Sequence, residues 1–279
     1  MAGSIITKVD TGLGTTYERW ALNRVLLQLR NTYGFSSVLE GPGDGMTGIA
    51  GINSLILGME GVNVTLIMES DRAAFAFSVW KEIAPQTSLK IIDSWDDQQM
   101  PAEKNSYDLV WNFNILTYVV NPESLLSEMS RISRKYVFIC LPNCKNYSFW
   151  IRYLHASHIH QPIHKQIIER MRLTSWLPMF SNLGLKILQV IWLDCPWWPD
   201  IIDPGQVVVD FFPFLKGFEK KYKQINHYCW TPPELPYYQK DRYADLHVQL
   251  DRLSIFEKSK NTWLKQRFAH HFGIFAEKQ

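Results

Sequence analysis

Apolar positions along the chain fall into blocks with two different periods. Between Thr15 and Arg30, Leu22, Val25, Leu26 and Leu29 recur at the i, i+3, i+4, i+7 spacing of one helix face. Gly34 closes that block, and Ser36–Leu39 begins a short apolar run that predicts a strand. A loop with three glycines, Gly41, Gly43 and Gly45, follows Glu40, and the pattern then predicts helix over Ile49–Leu57. Val62–Met68 is almost wholly apolar, as a parallel strand covered on both faces must be. Arg72–Ile83 predicts a helix, Leu89–Ile92 a third strand and Tyr107–Phe113 a fourth. Asn121-Pro122 marks the next helix start, because Asn caps free N–H groups and proline has none to leave unpaired. Leu125, Leu126, Met129 and Ile132 supply that helix's apolar face, and Tyr136–Leu141 predicts a fifth strand.

Strand and helix alternating in this way predict a parallel sheet with its connections packed on both faces. Beyond Pro142 the pattern changes. Residues 147–182 are rich in aromatics and histidine and read as mostly helical, and Leu185–Leu193 predicts a sixth strand. Residues 194–262 mix proline-aromatic motifs with helical stretches, and Phe268–Ala276 predicts a last strand. The expected fold is α/β: a doubly wound, mostly parallel seven-stranded sheet with helices on both faces, plus a helical, aromatic-rich cap. It divides into a helical segment (1–35), a core (36–143) and a C-terminal part (144–279) that completes the sheet and carries the cap.

Composition narrows the function. With 46% hydrophobic and 20% charged residues the chain belongs among globular proteins rather than disordered ones. The 29 basic and 27 acidic residues give a net charge of +2, too little to draw a nucleic acid, and no basic stripe compensates. No nucleic-acid partner is therefore expected. Cys140, Cys144, Cys195 and Cys229 form no C-x-x-C pair, which points to free thiols in a reducing compartment. Met1–Asp10 lacks a signal-peptide layout, and no apolar run approaches the roughly 20 residues of a membrane span. The expectation is a cytoplasmic protein, monomeric or homodimeric.

In open α/β sheets ligands bind at the carboxyl ends of the strands, so the residues just after each apolar run are the informative ones. After the first strand come Glu40 and the glycine-rich loop, where a missing Cβ lets backbone approach a ligand. Glu69 follows the second strand, placed to accept hydrogen bonds from ribose hydroxyls. Asp96 and Asp97 follow the third, suited to an adenine amino group. Asn114 follows the fourth.

With this order of loop, acid, acid and amide the chain resembles the class I S-adenosylmethionine (SAM) methyltransferases. Val38–Gly45 looks like that family's first motif, Tyr107–Leu116 like its fourth-strand motif and Tyr136–Asn143 like its fifth. Phe268–Ala276 resembles its antiparallel last strand. The likeness covers residues 36–143 and, more loosely, 184–193 and 266–277. It implies SAM as cofactor, with Glu40 orienting the methionine ammonium and Gly41, Gly43, Asp44 and Gly45 forming the loop. Glu69 would take the ribose, Asp96 and Asp97 the adenine, and Asn114 the floor beneath the sulfonium. The sequence departs from the family at the loop, where the acid directly precedes the first glycine. Either Gly41, Gly43 and Gly45 are the family glycines, or Glu40 keeps the acid's place and Pro42 and Asp44 replace two of them. The second register keeps an acid at the strand end. Tyr118 stands where many relatives have histidine.

The implied reaction is methyl transfer to a small-molecule acceptor, since a long cap closes a pocket over a discrete ligand and excludes water. Candidate catalytic residues are Tyr118, His155 and His158; candidate acceptor contacts are Trp192, Asp194, Trp197 and Trp198. The run His155 to His164 lacks companion acids or thiols, so no metal is expected. His270 and His271 fall in the last strand, where alternation would expose one, and read as structural. Phe211, Phe212, Phe214 and Leu215, followed by Lys216, Lys220, Lys221 and Lys223, leave contact with a membrane surface open. Two other functions compete: a catalytically inactive SAM-fold binding or regulatory protein, and a methyltransferase acting on protein. A nicotinamide enzyme would need a third glycine where Met46 stands.

Overall fold

The computed structural model describes residues 8–43, 48–93, 99–199, 204–216 and 228–279. The chain enters through a two-residue strand, β1 (Asp10–Thr11), and continues into α1 (Gly12–Tyr33). That helix stops where Gly34 turns left-handed at φ 66° and its N–H returns to Arg30 O at 2.8 Å, the usual glycine C-terminal cap. The core follows as β2 (Ser37–Glu40), α2 (Leu55–Met59), β3 (Asn63–Ile67), α3 (Ser70–Ile83), β4 (Leu89–Ile92) and β5 (Tyr107–Phe113). It closes with α4 (Pro122–Ile132) and β6 (Ser133–Pro142). Asn121 caps α4 as its sequence predicts, its Oδ1 accepting from Ser124 N at 3.1 Å.

The remainder holds α5 (Phe149–His158), α6 (Lys165–Arg170), α7 (Leu173–Asn182), β7 (Leu185–Leu193), α8 (Pro204–Phe211) and β8 (Cys229–Trp230). Helices over Ala244–Leu253, Ile255–Lys258 and Thr262–Phe268 lead into β9 (His271–Lys278). The seven-stranded sheet runs β4-β3-β2-β5-β6-β9-β7, with β9 antiparallel to both β6 and β7 and the other pairings parallel. β1 and β8 form a separate antiparallel pair.

Successive strand residues face opposite sides of the sheet, and the core divides accordingly. Val38, Leu66, Leu109, Trp111 and Phe138 pack with Leu22 and Leu26 of α1 and Val79 and Trp80 of α3. Leu39, Ile67, Val110, Val137 and Ile139 pack with Leu126 and Met129 of α4 and Trp176 and Phe180 of α7. Each fully buried side chain of this size contributes about 1.5–3 kcal/mol, so both faces are strongly specified.

Three expectations change in the structure. The predicted helix over Ile49–Leu57 forms only as Leu55–Met59, because Gly48 and Gly51 adopt φ of 95° and 73°, which no α-helix accommodates. The last strand starts at His271 instead of Phe268. Asn261 caps a helix through Phe268, its Oδ1 accepting from Trp263 N at 2.9 Å and Leu264 N at 3.2 Å. His270 and His271 are both buried, at 5% and 7% exposure, where one was expected to face solvent. The reason is tertiary: β9 lies inside the sheet between β6 and β7, and His270 belongs to the turn before it.

Candidate active site

Chain order reverses between β2, which pairs with β3 on one side and β5 on the other, so the binding crevice belongs outside their carboxyl ends. The glycine-rich loop is fastened across that point. Gly41 N donates to Trp111 O at 3.0 Å, Gly43 N donates to Ile67 O at 2.9 Å, and Asn112 Nδ2 donates to Gly41 O at 3.2 Å. A Cβ on Gly41 would come within 2.9 Å of Leu39 Cδ2 and 3.2 Å of Ile67 Cδ1 and Met100 Sδ, so this glycine serves close packing. At Gly43 the nearest atom would be 3.7 Å away, an ordinary contact. Asp44 and Gly45 lie outside the described residues, as do Asp96 and Asp97.

Glu40 ends β2 wholly buried. Its Oε1 accepts from Asn53 Nδ2 at 2.8 Å, and its Oε2 accepts from Ser54 N at 3.1 Å and Ser54 Oγ at 2.6 Å. Burial pushes the carboxyl up to about 7, outweighing those hydrogen bonds and the charge of Arg19. Arg19 lies behind Asn53, its side chain 1% exposed, and donates to Asp10, Asn53 Oδ1 and Ile49 O. Asp10 also accepts from Ile49 N at 2.6 Å and from the Tyr237 hydroxyl. The ion pair is thus satisfied on both sides, as a buried charge must be. Asp10, Arg19 and Asn53 carried no sequence signal, because nothing in a one-dimensional pattern joins residues 10, 19, 53 and 237.

A second polar group collects where β5 ends, β9 begins and β7 ends. Antiparallel β9 starts at the edge where the parallel strands finish, which brings His271 to Asn114. Asn114 holds a left-handed φ of 62°, and its N–H donates to Cys140 O at 2.7 Å. Its Nδ2 is 3.3 Å from His271 Nε2, while its Oδ1 is buried without a partner among the described residues. His271 Nε2 is 3.5 Å from Glu18 Oε1 of α1, and His271 Nδ1 is 3.6 Å from Asp194 Oδ2 and has no hydrogen-bond partner among the described residues. The His271 ring lies against Phe113, centroids 4.9 Å apart.

Asp194, also left-handed at φ 55°, is 2.9 Å from His270 Nδ1 through Oδ2, and its backbone O accepts from His270 N at 2.8 Å. The other ring nitrogen of His270 is 3.3 Å from Trp198 O, so both nitrogens face acceptors, the arrangement of a doubly donating imidazolium. Burial alone would raise the Asp194 carboxyl, but the charge and hydrogen bond of His270, with His271 beside it, hold it at about 2. Asn114 and Asp194, two of the expected residues, are thus both brought beside His271. Glu18, His270 and His271 join them unannounced; the histidine doublet was the one visible signal, and in sequence it reads as structural.

The other predicted residues disperse. Glu69 is exposed at the N-cap position just before α3, with no side-chain capping bond. Tyr118 is 61% exposed beyond the turn over residues 115–117. His155 Nε2 lies 2.7 Å from Asp210 Oδ2 and His158 Nε2 lies 2.9 Å from Asp210 O, with both rings against Phe211. One ring nitrogen of each thus joins α5 to α8. Trp192 packs on Phe272 within the sheet, and Trp197 is 64% exposed while its carbonyl accepts from the Tyr147 hydroxyl at 2.8 Å. Of the tryptophans, Trp198 stands nearest the second polar group, touching His270 through its carbonyl and Tyr17 of α1 edge to face.

Residues 54–141 match a family model described as a methyltransferase domain. The match takes in α2 to β6 and begins after the glycine-rich loop. No curated protein matches the chain. Among solved structures, a candidate methyltransferase from Bacillus halodurans C-125 is similar with a TM-score of 0.51 at 15% identity, over 92% of this chain and 98% of that one. A candidate sarcosine dimethylglycine methyltransferase from Galdieria sulphuraria also scores 0.51, at 12% identity, over 92% of this chain and 85% of that one. Sheet order, antiparallel β9 and these likenesses define the chain as having the class I, Rossmann-like fold of SAM-dependent methyltransferases. Within that fold, residues 54–141 carry the methyltransferase-domain pattern.

Proposed function

We propose that the protein transfers the methyl group of SAM to a small-molecule acceptor held between the strand ends and the helical cap. One observation carries the reading. Asn114 and His271 meet at the carboxyl end of β5, beside the switch point, with buried polar atoms that no described protein group satisfies. Such atoms cost on the order of 1–3 kcal/mol each when left unpaired, and a polar ligand at this edge offsets that cost. Exposed Glu69, at the end of β3, presents its carboxylate to ribose hydroxyls in the same crevice. In this reading Asp44, Gly45, Asp96 and Asp97 complete the cofactor contacts.

SAM, when bound, supplies an electrophilic methyl group with its own leaving group. The protein's task is then to align the acceptor and exclude water. Asn114 forms the floor, and Asp194, held by His270, keeps Trp198 and α1 in place around it. The cap closes the far side, its helices α5 and α8 joined by the His155–Asp210 and His158–Phe211 contacts. Glu40 orients the methionine ammonium from the end of β2. A second reading, a SAM-fold protein without catalysis, draws on Glu40 already holding three protein donors and on a family match that starts after the loop.

Calorimetric titration with SAM, S-adenosylhomocysteine and NAD tests the cofactor. Micromolar binding of the two SAM species alone supports the reading, and an acceptor screen with labelled SAM then separates it from the inactive alternative. Failure of SAM and S-adenosylhomocysteine to bind would sink both.

A further inference from the structure

Glu18, Asp194 and His271 each place one potential ligand atom within 4.8 Å of the other two. They come from three separate elements: α1, the end of β7 and the start of β9. Two carboxylates this close, under cover, repel each other unless a positive charge lies between them. His270 is committed to Asp194 and the Trp198 carbonyl. The imidazole of His271 lies between the acids at 3.5 and 3.6 Å, too long for good hydrogen bonds to either.

We infer that Glu18, Asp194 and His271 form a divalent-cation site of the transition series, with two carboxylate oxygens and one imidazole nitrogen as ligands. Three observations support the assignment independently of one another. The donor set is the mixed nitrogen and oxygen set that suits zinc, manganese or ferrous iron, and three protein ligands leave positions open for a further ligand. His271 is 7% exposed, and its Nδ1 faces Asp194 with no hydrogen-bond partner among the described residues, so in the tautomer protonated at Nε2 a lone pair points into the cluster. His270 holds Asp194 from outside at 2.9 Å, the second-layer support that metal-binding carboxylates require. Donor atoms around a tetrahedral zinc are about 3.3 Å apart, so closing on an ion asks for inward movements of about 1 Å. Glu18, the least covered of the three side chains at 13% exposure, is the one nearest solvent.

The site adjoins Asn114, so an open metal position would face the proposed acceptor space. It selects acceptors that bring an oxygen or nitrogen donor of their own, such as hydroxy acids or vicinal diols. This last step rests on the methyl-transfer reading; the metal site itself does not. The histidine-rich run from His155 to His164 plays no part in it.

The test uses the full chain, stripped with a chelator and titrated with Mn2+ by electron paramagnetic resonance and with Zn2+ by calorimetry. One saturable site per chain is expected, weakened at least about tenfold in both Glu18→Gln and His271→Asn. His158→Gln should leave metal affinity unchanged, which separates this site from surface histidines. Because His271 is buried, circular dichroism checks its variant; Glu18→Gln, partly exposed and of the same shape, decides the matter if His271→Asn fails to fold. No saturable binding, or binding undiminished in Glu18→Gln, overturns the assignment. Metal binding without SAM binding leaves the site standing and removes the methyl-transfer reading, whereas SAM binding without metal does the reverse.

Discussion

Replacing Glu40 by Gln tests the buried polar network at the strand end through its pH dependence. Burial raises the Glu40 carboxyl from an ordinary 4.5 to about 7 in the folded protein. Between those values the folded state binds a proton that the unfolded chain has released, so stability falls as pH rises. The contribution is fully present below the unfolded value and lost as pH climbs through about 7. A gap of this size corresponds to roughly 3 kcal/mol, a large share of the 5–15 kcal/mol typical of a folded domain. The charged and titratable groups facing Glu40 are Arg19, its partner Asp10, and Tyr238. Arg19 stays charged, and burial raises the Tyr237 and Tyr238 hydroxyls further above their ordinary value, so neither tyrosine titrates in this window.

The assay is urea unfolding of the cofactor-free protein at intervals from about pH 5 to about pH 8, for wild type and Glu40→Gln. A glutamine cannot reproduce all three accepted hydrogen bonds, so the variant's absolute stability changes by about 1 kcal/mol. The slope is the readout. The wild type should lose about 2.5 kcal/mol more than the variant across the range, since part of the contribution is already lost at pH 5. Parallel curves would show that Glu40 is ionised throughout and would refute the burial argument. If Glu40 receives the methionine ammonium, SAM affinity of the wild type should also rise with pH towards 7, and that rise should vanish in the variant.

Three further outcomes follow from the packing and the site. Gly51→Ala should cost about 1–3 kcal/mol in urea unfolding. The position holds φ 73°, and a Cβ would meet Met68 Sδ at 2.7 Å and Ala76 Cβ at 2.9 Å; a cost under about 0.5 kcal/mol would mean that this turn is not constrained. Glu69→Ala should lower SAM affinity at least about tenfold with the thermal midpoint unchanged, since the side chain is exposed and caps nothing. Equal affinity would remove Glu69 from the cofactor site. Trp197→Ala, at a 64% exposed ring, should spare stability and SAM binding while weakening acceptor turnover; unchanged turnover would take Trp197 out of the cap's contact surface.

Much of the fold was legible because its signals are local. Leu89–Ile92, Tyr107–Phe113 and Leu185–Leu193 appear as strands at their predicted bounds, since each is an apolar run ended by polar or turn residues. The Asn121-Pro122 start was legible for the same reason: a cap acts within one helical turn. Helix expected over Ile49–Leu57 was not, because Gly48 and Gly51 hold left-handed φ where the chain packs against Asp10 and Met68, and that packing is not written in the local pattern. The last strand's onset depended on Asn261, whose capping outweighs the apolar pattern through Phe268.

The site divides in the same way. By itself the sequence determined the alternation of strand and helix, and hence that Glu40 stands at a strand end and Glu69 and Asn114 just beyond one, because the period of apolar burial is set residue by residue. Only the tertiary structure decided what those residues meet. Inserting β9 antiparallel between β6 and β7 carries His271 to Asn114, and the end of β7 carries Asp194 to His270. Packing of α1 over that edge adds Glu18 to one polar group and Arg19 to the other. These contacts join residues up to about 250 positions apart, and their partners are chosen by topology and burial, which act on the whole chain at once.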